Sequence, residues 1–298
     1  MLRPLRNELY RMARRWMPRV LLASIAGAGI ALYELIYYSV NAQLTLLRSG
    51  TAPTNAVGPG GAEATIRQLE ETLLQVRPAH VQELGVGLVA GLGSVMLIVF
   101  AASHMGTEFG WGTLRTQLAS GLSRRAFLAT KLGSLALFAL AFTILGILAT
   151  TAASFLVSSQ AGYDTGGFDP AKVLSAGWRT GYSFVPYLAL ASLIALWSRS
   201  SGAGIAAGLV IYFAESLVMG LLISFNRDFA TIANLGISRN VQSLSRISVS
   251  VAGTNATNGP TAATLPDQTQ AGIVLAVWSI VFVALAVWRL RTRDITLA

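Results

Sequence analysis

The sequence contains no cysteine. Disulfides are therefore excluded from every loop, and so is thiolate or thiol-redox chemistry. Charge is scarce as well. Only 12% of the residues are Asp, Glu, Lys or Arg, against about 25% in an ordinary soluble domain. The two histidines, His80 and His104, lie far apart in sequence and are expected on opposite sides of a membrane, so their spacing makes no local metal site. There is no GxSxG elbow and no HExxH helix. Nor is there a GxxxxGK(S/T) loop, so the chain is not expected to bind ATP phosphates, to hold a cofactor of its own or to act as an enzyme.

What the chain has is apolar length. It is 53% hydrophobic, with a mean hydropathy of +0.58. A helix needs roughly 20 apolar residues to cross a bilayer. Runs of about that length fall at 20–40, 84–105, 132–157, 181–197, 203–225 and 272–288. The fourth is short and contains Pro186. The expected architecture is an all-α integral membrane protein with six spans and both termini on one side, forming a single transmembrane domain over residues 1–298.

Lys and Arg choose the side. Arg3, Arg6, Arg11, Arg14, Arg15 and Arg19 precede the first span. Arg115, Arg124, Arg125 and Lys131 join the second to the third, Arg199 follows the fourth, and Arg289, Arg291 and Arg293 follow the sixth. These are fourteen of the 22 basic residues. The rest are spread over longer loops that also carry acids such as Glu63, Glu70, Glu71, Asp164 and Asp169. The positive-inside bias places both termini in the cytoplasm. The net charge of +9 is then a topological signal, compatible with anionic headgroups at the inner surface. It is not gathered on a soluble domain, which argues against nucleic acid as a partner.

Leu5, Leu9, Met12 and Trp16 share one face, with Arg6, Arg11, Arg14 and Arg15 around the rest. Leu5–Trp16 therefore reads as an amphipathic interfacial helix, about residues 5–17, lying on the inner leaflet. Pro18 would let the chain turn into the first span. A solvated basic leader is the simpler alternative. Val40-Asn41-Ala42 imitates a signal-peptide cleavage site, and Arg14-Arg15-Trp16-Met17 is faintly similar to a twin-arginine signal. The apolar run is too long for a signal core, and Glu34 interrupts it.

The outer loops hold more than linkers. Residues 51–62 are rich in Gly and Pro and should be irregular. Residues 63–77 read as a helix through Ile66, Leu69, Leu73 and Val76. Residues 226–249 show helical spacing at Phe229, Ile232, Leu235, Leu244 and Ile247, with Gly236 as a break, and 251–270 read as loop. Such pieces would either lie on the outer surface, cap a cavity, or simply pack. Asn255-Ala256-Thr257 matches a glycosylation acceptor, a motif common by chance. Gly87, Gly91, Gly204 and Gly208 are candidates for close helix packing.

Two acids stand inside apolar spans, Glu34 and Glu215. A carboxylate in hydrocarbon costs several kcal/mol unless it is paired, protonated or wet. Both are candidates for a substrate pathway that takes a cationic or amphipathic compound. Glu34 has a structural alternative, reaching the outer interface beside Tyr33, Tyr37 and Tyr38.

The polar, basic stretch from Glu108 to Lys131 lies between two apolar runs, on the cytoplasmic side by the charge rule. Its middle, Thr113–Ala119, is a short helix candidate. Gly110 and Gly112 permit a sharp entry, and Gly121 a sharp exit. Ser123 is placed to cap a second helix that runs through Arg124, Arg125 and Phe127 to Lys131. A short helix held between tight turns can transmit a push from a partner.

Glu108, Gly112, Thr113, Leu114, Arg115, Leu118, Ser123, Arg124, Phe127 and Lys131, set between spans two and three of six, resemble the permease subunit of an ABC-2 type transporter. The opening Asn7-Glu8-Leu9 and the closing Arg291-Thr-Arg293-Asp294-Ile295 are similar to that family's termini. The sharp motif covers only about 25 residues, whereas the topology covers nearly the whole chain. The resemblance implies a coupling helix at Gly112–Leu118, with Glu108, Gly112, Thr113, Leu114, Arg115, Leu118 and Arg124 facing the ATPase. It also implies two copies of a cytoplasmic ATPase that supply ATP, a second permease, identical or paralogous, and a multi-pass place in a bacterial-type cell membrane. The implied activity is export of a drug, antimicrobial peptide or lipid. An ion-coupled secondary transporter using Glu34 and Glu215 stays open, although no repeated halves are visible. So does a membrane regulator without transport.

The absence of native cysteine makes the topology directly testable. Single cysteines at positions 60, 165 and 258 should react with an impermeant thiol reagent outside intact cells, and those at 10, 120 and 294 should not. External labelling at 120 would remove the coupling helix from the cytoplasm.

Overall fold

A computed structural model describes residues 2–292, apart from 54–56, 59, 120, 122 and 246–264. Among the described residues there is no β-strand. Hydrocarbon offers no partner for a free peptide group, and a helix satisfies its own within one segment. In chain order the helices are α1 (Leu2–Arg14), α2 (Trp16–Arg48), α3 (Gly61–Gln75), α4 (Leu84–Gly110), α5 (Thr113–Ala119) and α6 (Arg124–Ala161). They continue as α7 (Pro170–Ser183), α8 (Val185–Ser198), α9 (Ser201–Phe225), α10 (Ala230–Ala233), α11 (Ile237–Ser245) and α12 (Gln268–Thr292). Six are long and apolar enough to cross a membrane: α2, α4, α6, α7 with α8, α9 and α12. The chain is an all-helical, multi-pass membrane protein.

The fourth crossing begins earlier than the apolar run 181–197 suggests. Asp169 accepts from the backbone N–H groups of Ala171 and Lys172 at 3.0 and 3.2 Å, and Pro170 takes the first helical position. That start signal opens α7 eleven residues before Gly181. Hydropathy overlooks it because α7 carries Lys172, Arg179 and several small polar residues. Pro186 has no N–H to give to the preceding turn, and the crossing is broken at Phe184 into α7 and α8.

The chain enters the bundle differently too. α1 ends at Arg14, and the turn falls at Arg15, whose backbone is extended (φ −76°, ψ 146°). Pro18 sits inside the first turn of α2, where a missing N–H leaves no bond unmade. Trp16 therefore belongs to α2 rather than to the apolar face of α1, and it is 81% exposed. Leu9 and Met12 do pack into the core cluster.

Small residues bring the helices together. A Cβ on Gly204 would stand 2.8 Å from Ala195 and 3.0 Å from Ala102, and one on Gly208 would stand 2.8 Å from Ile98. Gly106 is tighter still, at 2.5 Å from the Ser201 backbone, so α4 and α9 cross backbone to backbone. Gly87 is buried, but Gly91 faces open space and serves no such contact.

The starts of α2, α6 and α9 share one end of the bundle with the ends of α4, α8 and α12. At the opposite end α3 folds back, and Leu73 and Val76 pack with Val40, Leu44, Ala153 and Val157. Ser154 there donates to the Val76 carbonyl at 2.6 Å. Gly236 separates α10 from α11, and Trp278 of α12 donates to the Leu235 carbonyl at 2.9 Å. Phe229, Ile232 and Leu235 are exposed, whereas Leu244 is buried. The acceptor motif at 255–257 and most of the expected loop 251–270 lie outside the described residues. That loop's last residues, from Gln268, already belong to α12.

Candidate functional site

α5 sits over a buried ionic cluster. Lys131 is about two turns into α6 and 1% exposed, and its ammonium lies between two carboxylates. It donates to Glu8 Oε1 at 2.6 Å and to Glu108 Oε1 at 2.5 Å. Glu8 comes from α1 and Glu108 from the last turn of α4, so one lysine joins three helices. Arg11 pairs with Glu8, and Arg15 reaches to 3.6 Å of Glu108 from a partly exposed position.

The same cluster holds the short helix. The Thr113 hydroxyl donates to Glu108 Oε2 from the first residue of α5. One turn on, Gln117 Nε2 donates to that oxygen at 3.1 Å. Gly112 (φ 68°) and Gly121 (φ 90°) adopt the left-handed backbone that makes the sharp turns on either side. Ser123 accepts from Ala126 N at 3.2 Å and opens α6. Hydrogen bonds to an ionised group are worth about 1.5–3 kcal/mol each. A displacement of α5 therefore has to move Glu108, and with it Lys131 and Glu8.

His104 completes the core of the cluster. Its Nε2 lies 3.0 Å from Ser134 Oγ and 3.5 Å from Glu8 Oε1. The Ser134 hydroxyl gives its own proton to the Lys131 carbonyl at 2.9 Å, so the ring nitrogen is the donor in the first contact. The ring also stacks on Phe100, with centroids 5.5 Å apart.

Of the residues that the sequence pattern singles out, Glu108, Thr113 and Lys131 are brought together, and Gly112 makes the turn. Phe127 is buried in the core. Leu114, Arg115 and Leu118 lie on α5, and their side chains are outside the described ones. Arg124 points elsewhere, donating to the Leu290 and Arg291 carbonyls at 3.1 and 3.3 Å. A guanidinium there satisfies carbonyls at the open C-terminal end of α12. The closing residues 293–295 lie outside the described residues.

Glu34 and Glu215 are held separately. Glu34 Oε1 accepts from Gln160 of α6 at 3.3 Å. Glu215 Oε1 accepts from the Ser238 N–H of α11 at 3.1 Å. Among the described residues no three of His, Asp or Glu gather as a metal site.

Glu8 is the residue that sequence reasoning undervalues. It shares the apolar face of α1 with Leu5, Leu9 and Met12, and it is the only acid before Glu34. An acid on a buried stripe needs a buried cation, and that was the available signal.

The profile of one protein family, described as Protein of unknown function (DUF2705), matches residues 86–296. The chain belongs to that family. The match begins in α4 and ends past α12, so it takes in Glu108, α5 and Lys131 but not α1 or Glu8. No curated protein matches the chain.

Burial by itself would raise the Glu8 carboxyl. The Lys131 ammonium and the Arg11 guanidinium outweigh it and hold its pKa below the ordinary 4.5. A carboxyl lowered on folding stabilises the fold above its unfolded value, and that contribution is lost as pH falls through the folded one. The detergent-purified protein should therefore keep its melting temperature from neutral pH to about 5 and lose it progressively below about 4. Glu8→Gln should flatten that decline.

Lys131→Met leaves two buried carboxylates facing each other. It should destabilise the protein by about 3–5 kcal/mol, read as a large drop in the melting temperature. A loss below 1 kcal/mol would mean that the cluster is not closed as described.

Proposed function

We propose that this chain is the membrane-spanning permease subunit of an ABC-2 type transporter, driven by a separate cytoplasmic ATPase through α5. The observation that carries the reading is the lock under α5. Glu108 binds Thr113 and Gln117 of the short helix with one oxygen and Lys131 with the other. A polar helix outside the apolar core is thus wired to the ends of two spans. An ordinary connector needs no such wiring.

The charge distribution supports the orientation, with the α5 end in the cytoplasm of a bacterial-type membrane. In this reading two ATPase copies bind two permease chains, each against one α5. Closure of the ATPase dimer pushes α5, and the Glu108–Lys131 pair passes the displacement into α4 and α6. The α1 helix moves with them through Glu8. Nothing in this chain resembles a phosphate-binding loop, so ATP is held by the partner. The exported compound is hydrophobic or amphipathic, and Glu215 and Glu34 belong to its path. Ion-coupled secondary transport has less support, because Glu34 and Glu215 are engaged by different elements, α6 and α11.

Two variants separate contact from transmission. Arg115→Glu, on α5, should reduce co-purification with the ATPase and change fold stability by less than about 1 kcal/mol. Thr113→Val removes the hydroxyl that holds Glu108. It should leave the ATPase bound but lower transport-stimulated ATP turnover. Normal ATPase association and normal transport in both variants would reduce α5 to a connector. Failure of the wild-type chain to capture any ATPase would favour the regulator or the secondary transporter.

A further inference from the structure

A second polar site lies near the other end of the bundle, between α8, α9 and α11. One stripe of α9 faces α8. Gly204 and Gly208 press on Ala195 and Ala191, and Tyr212 meets Tyr187 edge-on with ring centroids 5.1 Å apart. Glu215 follows Tyr212 by three residues and continues that face. α11 closes the space, and its Ser238 N–H is donated to Glu215 Oε1 at 3.1 Å.

That contact uses one carboxylate oxygen. Glu215 Oε2 is enclosed and has no hydrogen-bond partner. The same holds for Tyr187 Oη and Ser238 Oγ, on residues only 2% and 6% exposed. Three oxygens with spare acceptor capacity thus lie on α8, α9 and α11, with α9 packed against each of the other two. The ion pairs seen among the described residues do not include Glu215. Arg239, next to Ser238, turns its Nε to Asn234 Oδ1 at 2.9 Å.

An ionised carboxylate within a span costs several kcal/mol unless it is paired, protonated or wet, and a bound cation would offset that cost. A divalent metal ordinarily draws more than one carboxylate. A primary ammonium carries three N–H donors and no acceptor, which matches one carboxylate oxygen and two hydroxyl oxygens. We propose that Glu215, Tyr187 and Ser238 form an intramembrane binding site for the primary ammonium group of an amphipathic compound. The proposal rests on reading the chain as a transport subunit and gives its substrate a chemical class.

Binding is a property of this chain alone and is measured without an ATPase. The full-length protein, in nanodiscs of phosphatidylcholine, is titrated calorimetrically with octylamine. Octanol and octyltrimethylammonium have a similar tail but lack the ammonium N–H donors. Octylamine should bind at one site per chain, and the other two should bind about tenfold more weakly or worse. Glu215→Gln keeps the oxygen that caps Ser238 N–H, so it should fold normally and still lose about tenfold or more in octylamine affinity. Tyr187→Phe should lose severalfold.

Equal binding of octanol, or unchanged octylamine affinity in Glu215→Gln, would overturn the site. Sodium chloride that stabilises the wild type, but not Glu215→Gln, in the absence of amine would overturn the ammonium assignment in favour of a bare metal cation. Amine binding by a chain that captures no ATPase would sink the coupling reading and leave this site standing. ATPase capture without amine binding would do the reverse.

Discussion

The structure depends on one ammonium group. Lys131 sits in the core with a carboxylate on either side, and each carboxylate belongs to a different helix. Burying any one of these charges alone would cost several kcal/mol. Together they are tolerated only while the geometry holds. The arrangement is therefore close to all-or-none, and it fixes where α1 lies, where α4 ends and how α5 is presented. Apolar packing in a bilayer gives little such directional control, because lipid tails are as apolar as the side chains they replace. An ionic joint supplies the direction that the hydrophobic effect does not.

Close packing elsewhere follows a different rule. α4, α8 and α9 approach through Gly106, Gly204, Gly208, Ala102, Ala191 and Ala195. Their surfaces match because the side chains are small. The outward faces of α2, α9 and α12 are large and apolar, with Leu35, Phe213, Leu217, Ile273 and Ile280 exposed. α6 and α7 leave an apolar groove of about 560 Å³ lined by Leu140, Ile144, Leu174 and Trp178 among others. Such surfaces suit a lipid solvent and contrast with the polar joint at the α5 end.

Much of this was legible from residue types alone, for reasons that can be traced. Six crossings follow from apolar run length. The limits of α5 follow from Gly112 and Gly121, and the start of α6 from Ser123. Gly204 and Gly208 were recognisable as packing positions, but Gly91 was not separable from them, because spacing along one helix does not say which face has a neighbour. Pairings between distant segments were beyond reach. Glu8 and Lys131 are joined across the whole of α2 to α5, and no local pattern specifies that contact. Trp16 fitted the apolar stripe of α1 only because the turn at Arg15 is invisible to a periodicity that runs through it. The fourth crossing was shortened because Lys172 and Arg179 lower the hydropathy of a helix that Asp169 and Pro170 nonetheless start.

The position of Lys131 along the chain has a consequence for synthesis. Glu8 and Glu108 both emerge before it, and the first two crossings are complete while their carboxylates still lack the ammonium between them. The α1 helix has no buried ionic anchor until the third crossing begins, and the end of α4 stays open until then. Arg124 leaves its own task until last, since the carbonyls that it meets, at Leu290 and Arg291, belong to the final helix. The start of α6 is thus a clasp closed twice, first backwards onto α1 and α4 and later forwards onto α12. A chain interrupted between residues 131 and 290 would hold the first closure without the second.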